Sequence, residues 1–233
     1  MFYHQWEVIY KKIIDDFNFS IEKDKRAADI LEKLLKRRKT IKIKQLKECI
    51  YNKEIVVFGA GTSLEESIKV NKKKFVDKII ISCDGSTTAL VENSIQPDII
   101  VTDFDGKISD QIKVNSKNGV LVIHAHGDNI DKLTRYVPKL KGNVIGTTQT
   151  NPGSYKNVHN FGGFTDGDRA VFLADHFKAK KIFLVGFDFN NEIGKYSFPK
   201  KKDKNLKLKK LKWCEYLIEF LMKKRNNIFW FNR

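Results

Sequence analysis

Residues 54–67 read "EIVVFGAGTSLEES". A short apolar run breaks at Gly59 and Gly61, and a helical segment follows behind Thr62 and Ser63, either of which can cap it. Strand, glycine turn and helix in that order are the unit of a parallel sheet, because parallel neighbours need a crossover connection. No glycine or proline occurs before Gly59, and "QWEVIYKKIIDDF" and "KRAADILEKLLKRR" space their apolar residues by three and four, as helices do. A third short helix is expected over 41–51. After residue 67, strand-length runs recur at 79–83, 98–102, 119–124, 143–147 and 181–186. Helical segments at 64–74, 87–95, 129–136 and 167–178 separate them. Several runs are apolar throughout, as strands buried on both faces are. The expected fold is α/β: a doubly wound, Rossmann-like, mainly parallel sheet with a helical N-terminal extension and a C-terminal helix over 204–226. The division is a helical region, 1–50, and a catalytic domain, 51–233, that includes the basic C-terminal helix.

Composition narrows the function classes. The chain has 233 residues, 41% of them hydrophobic, which is ample for a core. Lys and Arg number 44 against 28 Asp and Glu, a net charge of +16. No aromatic-interleaved RNA motif accompanies the lysines, so they read as solvated surface and nucleic acid is not expected. A basic environment does suit a polyphosphate ligand. The run "KKKDKNLKLKK" at 200–210 reads as a charged surface segment or a lid. No apolar run reaches membrane-spanning length, and "MFYHQWEVIYKK" lacks the pattern of a signal peptide. Cys49, Cys83 and Cys214 are far apart, offering no disulfide framework and no zinc spacing. A reducing cytoplasm is the expected compartment, and self-association into a homo-oligomer is left open.

In an open α/β sheet ligands bind beyond the carboxyl ends of the strands. Nearly every tip here is small, polar or acidic: "GAGTSLEES", "CDGSTT", "TDFDG", "HAHGDN", "GTTQTNPG" and "GFDF". Gly59, Gly61, Thr62 and Ser63 form a turn that lets backbone approach a phosphate at a helix N-terminus. It lacks the third glycine of the dinucleotide fingerprint and the Gly-Lys-Ser/Thr of a P-loop. Asp84, Gly85 and Ser86 on the second tip, and Thr147, Thr148 and Gln149 on the fifth, are further phosphate or nucleotide contacts. Asp84, Asp103, Asp105 and Asp128 all follow strands. In extended chain Asp103 and Asp105 face the same way. At about 4 Å they repel by about 4 kcal/mol at an effective dielectric near 20. Mg²⁺, bound by hard oxygen ligands and shared with phosphates, relieves that repulsion. Asp103, Asp105 and Asp128 are the expected catalytic residues. His124 and His126 find no third ligand at zinc spacing; His126 is read as a substrate contact. Gly162 and Gly163 allow close backbone approach before "FTDGDRA". Asp166 reads as that helix's N-cap, with a hydrogen bond to an amino-bearing heterocycle open to it, and Asp188 is a second such carboxylate.

Taken in order, "FGAGTSLEES", "ISCDGSTTAL", "QPDIIVTDFDG", "HAHGDN", "GTTQT" and "FGGFTDGDRAVFLA" resemble the archaeal 6-hydroxymethyl-7,8-dihydropterin pyrophosphokinase family. "CDGS…PDIIVTDFDG" is also similar to a thiamin pyrophosphokinase pattern, whose second β-sandwich domain has no counterpart here. The resemblance implies diphosphate transfer from ATP to a pterin alcohol with Mg²⁺, in tetrahydromethanopterin or folate-type cofactor synthesis. It makes Asp84, Asp103, Asp105 and Asp128 the metal- and phosphate-handling residues. Two other enzymatic readings stay open: a nucleotide-sugar glycosyltransferase, from the Gly-x-Gly-x-Ser-Leu turn, and an NAD(P)-binding protein, with Asp84 as ribose ligand.

Overall fold

Alternation along the strands decides how this sheet is covered. A computed structural model describes residues 3–38, 40–190, 192–197 and 204–231. Three helices come first, α1 (Tyr3–Phe17), α2 (Ile21–Leu35) and α3 (Ile43–Ile50). The α/β repeat then runs β1 (Glu54–Phe58), α4 (Leu64–Asn71), β2 (Ile79–Cys83), α5 (Ser86–Glu92), β3 (Ile99–Thr102), α6 (Ile108–Ser116), β4 (Val120–Ala125), α7 (Ile130–Tyr136) and β5 (Val144–Thr148). It closes with β6 (Val158–His159), α8 (Asp166–His176), β7 (Lys181–Val185), α9 (Lys204–Met222) and β8 (Ile228–Trp230).

The strands lie in the order β6-β5-β4-β3-β2-β1-β7-β8, and the pairs are parallel. Registers such as Ile55↔Ile79 and Ile99↔Val120 carry alternate residues to opposite faces. On one face Ile55, Val57, Ile81, Val101 and Val122 pack beneath α1, α3, α8 and α9, through Trp6, Ile13, Leu46, Phe172 and Leu217. On the other, Ile100, Leu121 and Val144 lie under α2, α6 and α7, while Val56, Phe58 and Ile80 lie under α4 and α5. The helices before Glu54 therefore share both sheet cores.

From β1 to β6 the chain winds one way; α8 then crosses β3, β2 and β1 to deliver β7 on the other side of β1. That reversal between β1 and β7 makes a crevice at their carboxyl ends. Four elements, α6, β6, α9 and β8, differ from the sequence reading. Helix α6 and strand β6 were not expected, because "ISDQIKVNS" is short and weakly patterned and "VH" has two residues. The terminal helix stops at Met222 rather than 226, since Asn226-Asn227 and the aromatic run "IFW" favour extended chain that pairs with β7. Residues 200–203 of the basic run lie outside the described residues; 204–210 begin α9. Among the described residues no helix is long and apolar enough to cross a membrane.

Candidate active site

Two left-handed residues shape the acidic tips. Asp84 ends β2 with φ 44°, and Phe104 follows β3 with φ 67°. Such values are uncommon for non-glycine residues and must be held by surroundings. Phe104 is held: its N–H donates to Thr102 Oγ1 at 2.8 Å, and its buried ring lies 5.8 Å from that of Tyr136. The turn ends the i, i+2 alternation. Asp103 therefore points inward, its Oδ1 accepting the Asp105 N–H at 3.1 Å, while exposed Asp105 pairs with Lys132.

A different carboxylate joins Asp84 and Asp103. Asp166, expected as the N-cap of α8, sits one residue inside the helix. Thr165 is the cap, with its hydroxyl and its N–H donating to Asp168 Oδ2 at 2.7 and 2.9 Å. Freed from capping, Asp166 brings an oxygen to the cluster, and one oxygen each from Asp84, Asp103 and Asp166 lie within 4.8 Å of one another. Asp84 Oδ1 accepts from Thr102 Oγ1 at 2.8 Å and Gln111 Nε2 at 3.0 Å. Asp103 Oδ2 lies 3.3 Å from His126 Nε2, and Asp166 Oδ1 accepts from Arg169 at 3.1 Å.

Three carboxylates this close do not ionise independently. Burial and the charge of Asp103 raise Asp84 to about 6. The same two causes push Asp166 well above the usual range. Burial works against Asp103 too, but the hydrogen bond and charge of His126, with Arg169 and Lys132, hold it low. One firm carboxylate and two displaced upward by burial and repulsion form a donor set that fits a hard divalent cation.

The cluster opens into a cavity of about 610 Å³, room enough for more than one small ligand. Gly59, Gly61, Gly85 and Asp188 line it near the crevice; His126, Asp128 and Gln149 line it beyond Asp103. Gly59 and Gly61 serve a close approach between loops. Their N–H groups donate to the Val185 and Gly186 carbonyls at 2.8 Å each, and a Cβ on Gly59 would lie 2.6 Å from the Gly186 oxygen. Asp188 Oδ2 accepts from Ser63 N and Oγ at 2.8 and 2.9 Å, tying the start of α4 to the β7 tip.

The remaining expected residues do not line the cavity. Ser86 Oγ donates to the Phe58 carbonyl at 2.7 Å and accepts from Cys83 N at 2.9 Å. Thr147 lies against His124 and the Ile123 carbonyl, and Thr148 against Thr150. Thr62 is exposed. Gly162 and Gly163, at φ 88° and 91°, let the chain pass close to Phe172 and Arg169 of α8.

No site role was expected of the α1–α2 turn or the start of α2, yet Phe17, Phe19 and Asp24 line the cavity. Buried Asp24 accepts from Tyr10 Oη at 2.7 Å, Gln149 Nε2 at 2.6 Å and Gly127 N at 2.7 Å. Only long-range packing brings these groups together, so no local signal marks them.

Residues 13–194 match the family described as 6-hydroxymethylpterin diphosphokinase MptE-like. A Methanocaldococcus jannaschii protein named 6-hydroxymethyl-7,8-dihydropterin pyrophosphokinase is 44% identical, covering 94% of this chain and 95% of its own. A Pyrococcus furiosus protein of the same name is 45% identical, covering 95% and 94%. Among solved structures, the MAf glycosyltransferase of Magnetospirillum magneticum AMB-1 aligns with a TM-score of 0.45 at 18% identity, covering 70% of this chain and 28% of that one. A likeness that distant carries no argument about activity. The family match and the full-length relatives do: the chain belongs to the 6-hydroxymethylpterin diphosphokinase MptE-like family.

Proposed function

We propose that this chain transfers a diphosphate from ATP to the hydroxymethyl group of 6-hydroxymethyl-7,8-dihydropterin and releases AMP. The observation that carries the reading is the Asp84–Asp103–Asp166 cluster at the strand tips, set in a large cavity in a chain of this family. The substrate hydroxyl oxygen bonds to the β-phosphorus, the bond from that phosphorus to the α,β-bridging oxygen breaks, and AMP leaves with the electron pair. Mg²⁺ held by the three aspartates would neutralise the triphosphate and align it for in-line attack.

The chain's own groups do the rest. Arg169 and His126 fix the orientation of Asp166 and Asp103. His126 Nδ1 accepts the Asp128 N–H at 3.3 Å, an arrangement that leaves Nε2 to donate to Asp103. With both ring nitrogens so engaged, exposed Asp128 on the cavity rim is the better acceptor for the hydroxyl proton. The Asp105–Lys132 pair flanks the cluster and adds to its charge balance. Asp188 spends Oδ2 on Ser63, which leaves Oδ1 to accept from an N–H donor of a pterin ring. Incubation with ATP, Mg²⁺ and the pterin alcohol, followed by anion exchange, tests the reading. AMP should appear in step with a pterin diphosphate, vanish with EDTA and return with excess Mg²⁺. ADP with a pterin monophosphate would overturn it.

A further inference from the structure

The cavity is lined by the cluster aspartates and also by the first turns of α9, which follows the segment matched to the family. Leu206, Lys207, Leu208, Lys210, Leu211 and Cys214 line it from the first three turns of α9. Two neighbouring α9 lysines have partners: Lys209 pairs with Asp16 at 2.8 Å. Lys210 lies over the Phe19 and Phe164 rings, 5.8 and 5.9 Å from their centroids.

Lys207 is different. It is half-buried, its Nζ donates to the Ser197 carbonyl, and among the described residues it has no ion-pair partner. Burial disfavours its charge, and the charges of Asp84, Asp105 and Asp103 act against that effect. The ammonium thus stands within the field of the aspartates without touching one. A half-buried ammonium in that position is costly unless an anion shares the space. We propose that Lys207, in the same cavity as the aspartate cluster but not in contact with it, binds the polyphosphate of the nucleotide. A lysine suits this as a point charge with three donors, able to follow non-bridging oxygens as their charge shifts. It keeps its proton throughout. This role rests on the diphosphotransferase reading for its substrate, but its test is binding.

The experiment uses the full chain with saturating Mg²⁺. Wild type, Lys207→Met, Lys207→Arg and Lys209→Met are titrated calorimetrically with ATP and with inorganic triphosphate. Affinity for 6-hydroxymethyl-7,8-dihydropterin is read by fluorescence. Lys207→Met should bind ATP and triphosphate about tenfold to hundredfold more weakly, the loss expected for one charge-assisted contact. Lys207→Arg should recover most of that, Lys209→Met should match wild type, and pterin affinity should hold in all. Lys207→Gln replaces Lys207→Met if the latter unfolds. Triphosphate affinity within twofold of wild type in Lys207→Met, or an equal loss for the pterin, would overturn the assignment. Wild type that binds ATP but forms no AMP would overturn the diphosphotransferase reading alone, with the lysine still judged by the affinities. Wild type that binds neither ATP nor triphosphate would overturn both.

Discussion

At the scale of single residues, the left-handed Phe104 separates two carboxylates that extended chain would leave side by side. Asp103→Asn and Asp166→Asn should each lower turnover by at least about 100-fold, as removal of a group from an electrostatic site does. Asp105→Asn should cost about tenfold or less, because Asp105 stands on the cavity rim outside the three-carboxylate cluster and is already paired with Lys132. Steady-state rates at saturating Mg²⁺ check both. Asp84 also predicts a pH dependence. Its folded pKa is raised to about 6, so between about pH 4 and pH 6 the folded chain holds more proton there than the unfolded chain. Its contribution to stability therefore falls as pH rises through that window, and Mg²⁺ must displace the proton to bind. The rise in melting temperature on adding Mg²⁺ should be small at about pH 5 and large at about pH 7.5. An equal rise at both would argue against Asp84 as a ligand. The acidic tips were legible in the sequence because strand ends are. The membership of Asp166 was not, since a Thr165–Asp168 cap and an Asp166 cap look alike until the helix start is fixed within one residue.

At the scale of elements, the β1 and β7 tips work as one piece. A Cβ on Gly61 would meet the Asp188 carboxylate and lie 2.6 Å from the Gly186 oxygen. Gly61→Ala should therefore cost about 1–3 kcal/mol in urea unfolding, as overpacking does. It should weaken ATP binding through the displaced turn; unchanged stability would mean that the two loops are not in contact. The glycine turn was evident from its strand–turn–helix setting. Its partner loop was not, because the paired residues Phe58 and Val185 are 127 positions apart in the chain, and adjacency of that kind belongs to the strand order. Strand β8 was hidden for a similar reason: three residues of "IFW" become a strand only beside β7.

At the scale of the molecule, buried apolar runs and polar tips were enough to expect a doubly wound parallel sheet, and that is the fold. The position of the switch point and the wrapping of the first three helices over both faces came only from tertiary packing. Asp24 links that wrapping to the site, holding Tyr10, Gln149 and the Gly127 N–H at once. Asp24→Ala leaves two buried donors and one partly buried donor unpaired and should cost about 3 kcal/mol or more by denaturant unfolding. A loss below about 1 kcal/mol would show that the N-terminal helices dock without it. Diphosphate transfer at the aspartate cluster is tested most directly by the fate of each phosphate. Reactions run in parallel with α-labelled and γ-labelled ATP should move the γ label onto the pterin and leave the α label in AMP, with both fluxes falling together in Asp166→Asn. An α label recovered in ADP, or an Asp166→Asn variant that transfers label at the wild-type rate, would contradict it.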